Sequence, residues 1–189
     1  MTVMDTCMPP GPLTVADLEV MPDDGRRYEL IDGMLFVSPA PGTRHQKMVL
    51  QLGMRLEQVC PDDLVVFVAP FAVQTANDTE VQPDVLVARD EDLTEKNLPT
   101  APLLAVEILS PSTTLYDLNT KKAAYQRMGV VSYWVVDPLD PRLTVFELDE
   151  AGQYELVADV KGDDAFDAER PFPVRVAPTD LLGRLNQSR

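Results

Sequence analysis

Basic residues are scarce in this chain: 16 Lys and Arg stand against 31 Asp and Glu over 189 residues, a formal charge of −15. Basic footprints supply most of a protein's non-specific affinity for a phosphate backbone. A nucleic-acid ligand would therefore have to be met by a local basic face or through metal ions. Histidine occurs once, at His45, which excludes a three-histidine zinc site. Cysteine occurs twice, at Cys7 and Cys60, with no C-x-x-C pair, so a reducing, cytoplasmic setting is expected. No apolar run approaches the roughly 20 residues that span a bilayer. No basic region followed by an apolar run opens the chain. No membrane partner is expected, and neither repeats nor low-complexity tracts interrupt the sequence.

What remains is a chain with 45% apolar residues, enough for one domain with a sizeable core. Residues 1–12, rich in Pro and Gly, read as a flexible arm, and 13–189 as a single domain. Thr14 and Asp17 have the spacing of an N-cap and its partner for a short helix through about Val20, a lid or a brace. Asp32-Gly33 between Arg27 to Ile31 and Met34 to Ser38 is a strong hairpin signal, because both turn positions accept positive φ. Thr43 with Gln46 resembles a capping box. Met48, Leu52, Leu56 and Val59 then form the apolar stripe of a helix that carries His45 in its first turn.

Leu64 to Ala69 reads as a buried strand, with Phe71 to Gln74 continuing it or returning beside it. Val81 to Ala88, Leu103 to Leu109 and Val130 to Val136 are further apolar strand segments. Asp90 to Pro102 is a surface loop. A helix is expected over about Leu115 to Met128, closed by Gly129. Leu143 to Leu148 and Tyr154 to Val160 form a second hairpin, followed by an acidic loop from Asp159 to Arg170, a short strand and a terminal helix near Thr179 to Leu185. The order predicts an α+β (mixed α/β) fold, a central mixed sheet flanked by helices with extra β-hairpins at both ends.

Two acids interrupt the apolar strands. Asp84 follows Pro83 at the mouth of one, and Glu107 lies inside another. An ionised acid in such a place is costly unless a cation or hydrogen bonds compensate it. On the following helix Leu118, Lys121, Tyr125 and Met128 recur at spacings of three, four and three, which turns Lys121 inward and leaves Lys122 aligned with Asn119 and Gln126. Two carboxylates and a lysine suit a hard cation such as Mg²⁺, with Mn²⁺ as substitute, and the backbone carbonyl of Ile108 is the natural third ligand. Such a site supports metal-assisted hydrolysis of a phosphodiester, with Lys121 orienting water or stabilising negative charge.

The arrangement resembles the PD-(D/E)XK nuclease superfamily, and the wording of the chain resembles its Uma2 branch. The resemblance rests on Tyr28-Glu29-Leu30-Ile31-Asp32-Gly33, Ser38-Pro39-Ala40-Pro41 with His45, Pro83-Asp84-Val85, Ala105-Val106-Glu107-Ile108-Leu109-Ser110-Pro111-Ser112, Asp117 with Lys121 and Tyr125, and Gly129 to Asp137. It implies a restriction-endonuclease-like core, Asp84 and Glu107 as metal ligands, Glu29 as an accessory acid, and migration of the usual lysine from the position of Leu109 to Lys121. DNA and a homodimer are the partners it brings into view.

Plainer readings stand beside these. Asp84 serves equally as a turn cap, Glu107 and Lys121 as a salt bridge, and His45 as a helix-start residue bonded locally. By pattern Glu29 falls on a solvated strand face. Asp117 supports Lys121 across one helical turn. Two alternatives to an endonuclease remain open: a non-catalytic protein-interaction module, and a metal-dependent hydrolase of another phosphorylated substrate.

Overall fold

The computed structural model describes residues 11–110 and 116–187. Residues 1–10 of the expected arm, and Ser112, lie outside them. The first described elements are a short helix α1 (Val15–Leu18) and a hairpin of β1 (Arg27–Ile31) and β2 (Met34–Ser38). Thr14 and Asp17 form the expected capping box, the Thr14 N–H donating to Asp17 Oδ2 at 2.7 Å, although α1 ends earlier than predicted. Asp32 and Gly33 turn the hairpin with φ of 52° and 74°. A side chain at residue 33 would also collide with Pro12, whose Cβ lies 2.5 Å from where a Cβ would stand.

Helix α2 (Thr43–Glu57) buries Met48, Leu52 and Leu56 completely. Burial at about 1.5–3 kcal/mol per large apolar side chain makes this stripe the main anchor of the helix. Two expectations fail at its ends. Gly42, not Thr43, is the N-cap and no side chain caps the helix, while Val59 lies beyond the last turn and is exposed.

Eight strands follow before the C-terminal pair: β3 (Leu64–Val68), β4 (Val73–Ala76), β5 (Thr79–Val81), β6 (Val85–Arg89), β7 (Leu104–Ile108), β8 (Ser132–Asp137), β9 (Arg142–Leu148) and β10 (Tyr154–Lys161). With β1 and β2 they make two sheets. One has six strands in the order β10-β9-β8-β7-β6-β3, and the other four in the order β2-β1-β5-β4. In the six-stranded sheet only β7 and β8 run parallel, joined by the helical crossover that parallel pairing requires. The sheet is mixed, as predicted.

Several expectations need correction. Leu64 to Ala69 was expected as a buried strand, yet β3 is a half-buried edge, because nothing pairs with it beyond β6 among the described residues. Phe71 to Gln74 neither continues β3 nor returns beside it; the chain leaves for the second sheet, where β4 pairs with β5. The acidic loop contains a strand, β11 (Phe166–Ala168), paired with β12 (Val174–Val176). The terminal helix is a 3-10 segment, Pro178–Gln187, broken at Gly183.

The central strands β6, β7 and β8 are buried on both faces, which is why they read as continuous apolar runs. Val85, Val87, Leu104, Val106 and Trp134 face α2, β11, β12 and the C-terminal segment. Leu86, Ala88, Ala105, Tyr133 and Val135 face the other way, toward the four-stranded sheet and helix α3 (Lys122–Met128). The two-residue period of a strand puts Glu107 on the Ala105 face.

Candidate active site

Glu107 thus points from the centre of the sheet toward the crossover that follows β7. In the described part of that crossover, Tyr116–Lys121 winds as a π-helix before α3 begins, where a continuous α-helix was expected. From Lys121 onward the expected stripe holds, and the side chain of Leu118 lies outside the described residues. Lys121 and Tyr125, four apart, both reach Glu107: Lys121 Nζ donates to Oε1 at 2.9 Å and the Tyr125 hydroxyl to the same oxygen at 2.6 Å. Lys122, as the spacing implied, turns elsewhere and lies 3.5 Å from the centre of the Phe146 ring. The side chain of Asp117 lies outside the described residues.

Glu29 is fully buried, which overturns the solvated-face reading of its strand. Glu29 shares its face of β1 with Ile31, and that face packs onto the core formed with the six-stranded sheet and α3. Its Oε1 accepts the Gln82 N–H at 2.8 Å and lies 2.9 Å from Lys121 Nζ. Lys121, 1% exposed, is therefore a buried ammonium held between two carboxylates, Glu29 and Glu107. Glu29 Oε2 has no hydrogen-bond partner among the described residues.

Asp84 lies immediately before β6 and is 2% exposed. Its Oδ2 accepts the N–H of Ile108 at 2.8 Å and lies 3.0 Å from His45 Nε2. Its Oδ1 accepts Arg27 Nη1 at 2.8 Å, and Arg27 Nε is 3.6 Å from Glu29 Oε2. Burial alone would raise the Asp84 carboxyl, but the His45 hydrogen bond and the charges of Arg27, His45 and Lys121 outweigh it and hold it below the usual carboxylate range. Burial drives the Tyr125 hydroxyl well above its ordinary range, reinforced by the charges of Glu107 and Glu29, so it acts as a donor. His45 is not a locally bonded helix-start residue. The first turn of α2 delivers it to Asp84, while its Nδ1 is buried without a hydrogen-bond partner among the described residues.

The structure thus brings Asp84, Glu107, Lys121, Glu29, His45 and Ile108 into one polar cluster. It adds Arg27, which carries no motif of its own in the sequence. The available signal was periodicity: Arg27 and Glu29 stand two apart on one strand, so a buried Glu29 has an arginine on its own face. Tyr125, expected as core, is both core and hydrogen-bond donor.

A cleft of about 840 Å³ opens onto one side of the cluster. Arg27, His45, Gln82, Asp84 and Ser110 line its inner part, with α1, Tyr28 and the Pro39 to Pro41 segment among its walls. Glu107, Lys121 and Glu29 do not reach it. Cations on the rim are paired with acids: Arg26 with Asp24, and Lys96 with Glu19 at 3.1 Å. No described helix is long and apolar enough to cross a membrane.

No curated protein matches the chain. A crystal structure described as "a putative nuclease belonging to DUF820" from Anabaena variabilis superimposes with a TM-score of 0.72 at 20% identity, covering 92% of this chain and 99% of that one. That likeness establishes a shared fold. The model of the Uma2 family, described as "Putative restriction endonuclease", matches residues 15–180, from α1 through every strand to the C-terminal segment. The span includes the whole polar cluster, and the chain belongs to the Uma2 family.

Proposed function

We propose that the chain is a divalent-metal-dependent endonuclease that hydrolyses DNA phosphodiester bonds at the Asp84 end of the cleft. The observation that carries this reading is the burial of two acids, Asp84 at 2% and Glu107 at 1% exposure, against the adjacent central strands β6 and β7, with a buried lysine beside them. The family and the nuclease-described structural neighbour point the same way.

The donor set suits a hard cation. Three carboxylates face one arginine and one lysine, and a buried oxygen, Glu29 Oε2, lacks a donor among the described residues. Among the described residues no three His, Cys, Asp or Glu side chains converge on a common ion position. Mg²⁺ does not require such a cage, since it keeps several waters and binds through one or two carboxylates and substrate phosphates. Asp84 and Glu107, with the Ile108 carbonyl, would hold it, and Mn²⁺ would substitute. When bound, the ion would polarise the phosphodiester and lower the pKa of its water.

The chain's own residues prepare the rest. Lys121, pinned by Glu29 and Glu107 behind the cleft wall, supplies a fixed positive charge whose field stabilises charge developing on the phosphoryl oxygens. Arg27 and the Ile108 N–H fix the Asp84 rotamer, and His45 closes its α2 side. The low pKa of Asp84 keeps it ionised throughout the neutral range.

A second reading has its own support: the same acids already have protein cations beside them, and the rim cations of the cleft are paired. A non-catalytic module with a salt-bridged interior fits those contacts and the net charge of −15. Cleavage of single- and double-stranded DNA with Mg²⁺ or Mn²⁺, together with calorimetric titration of the ions, decides between them. The nuclease reading expects ion binding and cleavage by the native chain, and loss of both in Asp84→Ala. Equal cleavage by Asp84→Ala, or no ion binding by the native chain, would overturn it.

A further inference from the structure

We infer that β3 is a self-association edge, across which two copies of this chain pair antiparallel about a two-fold axis at Val66. Backbone bonding sets the direction of the free groups. The Ala69 N–H donates to Asp84 and the Asp90 N–H to Asp63, so residues 63, 65, 67 and 69 bond inward to β6. Val66 and Val68 therefore direct both N–H and C=O away from the sheet, and no described strand takes them up.

The side chains at this edge are as open as its backbone. Leu64 and Val66 pack on the α2 side of the sheet. Val68 shares it: a Cβ on Gly53 would lie 3.0 Å from Val68 Cγ1. On α2, Leu50 and Met54, one turn apart and flanking Gly53, are 54% and 50% exposed, and Val68 is 44% exposed. Edge strand and helix thus present one continuous apolar strip. The opposite edge is built differently. β10 carries a bulge between Leu156 and Ala158, together with Glu155, Asp159 and Lys161, the devices that discourage edge pairing. On β2, exposed Met34 and Val37 are three apart and fall on opposite faces, so no strip forms there.

A second copy fits this edge on charge and register. Leu64–Val68 contains no charged residue or proline. A two-fold at Val66 puts Leu64 opposite Val68 of the other copy, and Asp63 opposite Ala69, so no like charges meet along the strands. The same axis places the two α2 helices on one face of a continuous twelve-stranded sheet, with Leu50 and Met54 adjacent to their counterparts. Two copies of so acidic a chain need an interface free of net charge, and this strip provides one.

Sedimentation velocity over a concentration series tests the assignment on the full chain. The native protein should sediment as a dimer. Val66→Pro removes an outward N–H and a half-buried side chain but no bond of the β6 ladder, and Leu50→Glu with Met54→Glu charges the exposed strip. Either change should weaken association by at least tenfold with an unchanged circular dichroism spectrum, whereas Leu156→Glu on β10 should leave it unaltered. A native monomer at every concentration overturns the proposal, as does a dimer insensitive to both variants. A native monomer that dimerises on removal of residues 2–10 would instead assign the edge to the chain's own N-terminus.

Discussion

The polar cluster has two halves that solve the same electrostatic problem in different ways. The inner half, Glu29, Glu107, Lys121 and Tyr125, is sealed beneath the four-stranded sheet and α3, and every one of these residues is at most 1% exposed. The outer half, Asp84, Arg27 and His45, borders the cleft, and the Arg27 side chain is 22% exposed. Inside, among the described residues, two carboxylates share one lysine. Outside, one carboxylate is shared among an arginine, a histidine and a backbone N–H. Loss of one group should therefore be far more damaging inside than outside, and activity should show the reverse sensitivity.

The largest effect should come from Lys121→Met, which keeps the length of the side chain and leaves Glu29 and Glu107 buried without their shared ammonium. Breaking a buried pair in this way costs about 3–5 kcal/mol. Urea unfolding should show that loss, and Glu107→Gln added to Lys121→Met should recover part of it by removing one stranded charge. A loss below 1 kcal/mol in the single variant would mean that the inner half is no more tightly coupled than the outer one.

An intermediate effect belongs to Asp84. Because its folded pKa is depressed, the unfolded chain binds more protons in acid, so this carboxylate's contribution is present at neutral pH and is lost as pH falls below the unfolded value of about 3.9 toward the folded one. Asp84→Asn keeps an acceptor for the Ile108 N–H but removes the charge facing Arg27, at a cost of about 2–3 kcal/mol at pH 7. Urea midpoints measured at pH 7 and at stepwise lower pH should converge for the native chain and Asp84→Asn. Parallel curves would remove Asp84 as a source of acid sensitivity.

The two halves also differ in how legible they were. Lys121 could be placed from the sequence because the four-residue step to Tyr125 lies on regular helix, and Glu107 because an acid in an apolar strand requires a partner. The Asp32-Gly33 turn fixed the hairpin, since its backbone demands are local. Arg27 and the burial of Glu29 could not be read in the same way. Both depend on β5 and β4 joining β1 in a separate sheet whose face packs against the main one, a long-range pairing with no local signal around Phe71. The half-exposed state of β3 has the same origin: Leu64–Val68 is apolar enough for a central strand, and only the topology makes it an edge. The Gly42 cap was missed because Thr43 and Gln46 have cap-like spacing one residue too late.

The smallest effect sharpens the comparison from within the inner half. Tyr125→Phe keeps the ring that packs against Tyr133, 5.2 Å between centroids, and deletes only the hydroxyl that donates to Glu107 Oε1. Glu107 keeps Lys121, so no charge is stranded, and the loss should be about 1.5 kcal/mol, the low end for a hydrogen bond to a charged group. In the double variant with Lys121→Met, however, Glu107 loses both of its donors among the described residues, and the combined cost should exceed the sum of the singles, because groups sharing one buried acceptor do not act independently. Additive losses in that double-mutant cycle would show that hydroxyl and ammonium serve Glu107 separately, and the inner half would then be a set of pairs rather than one network.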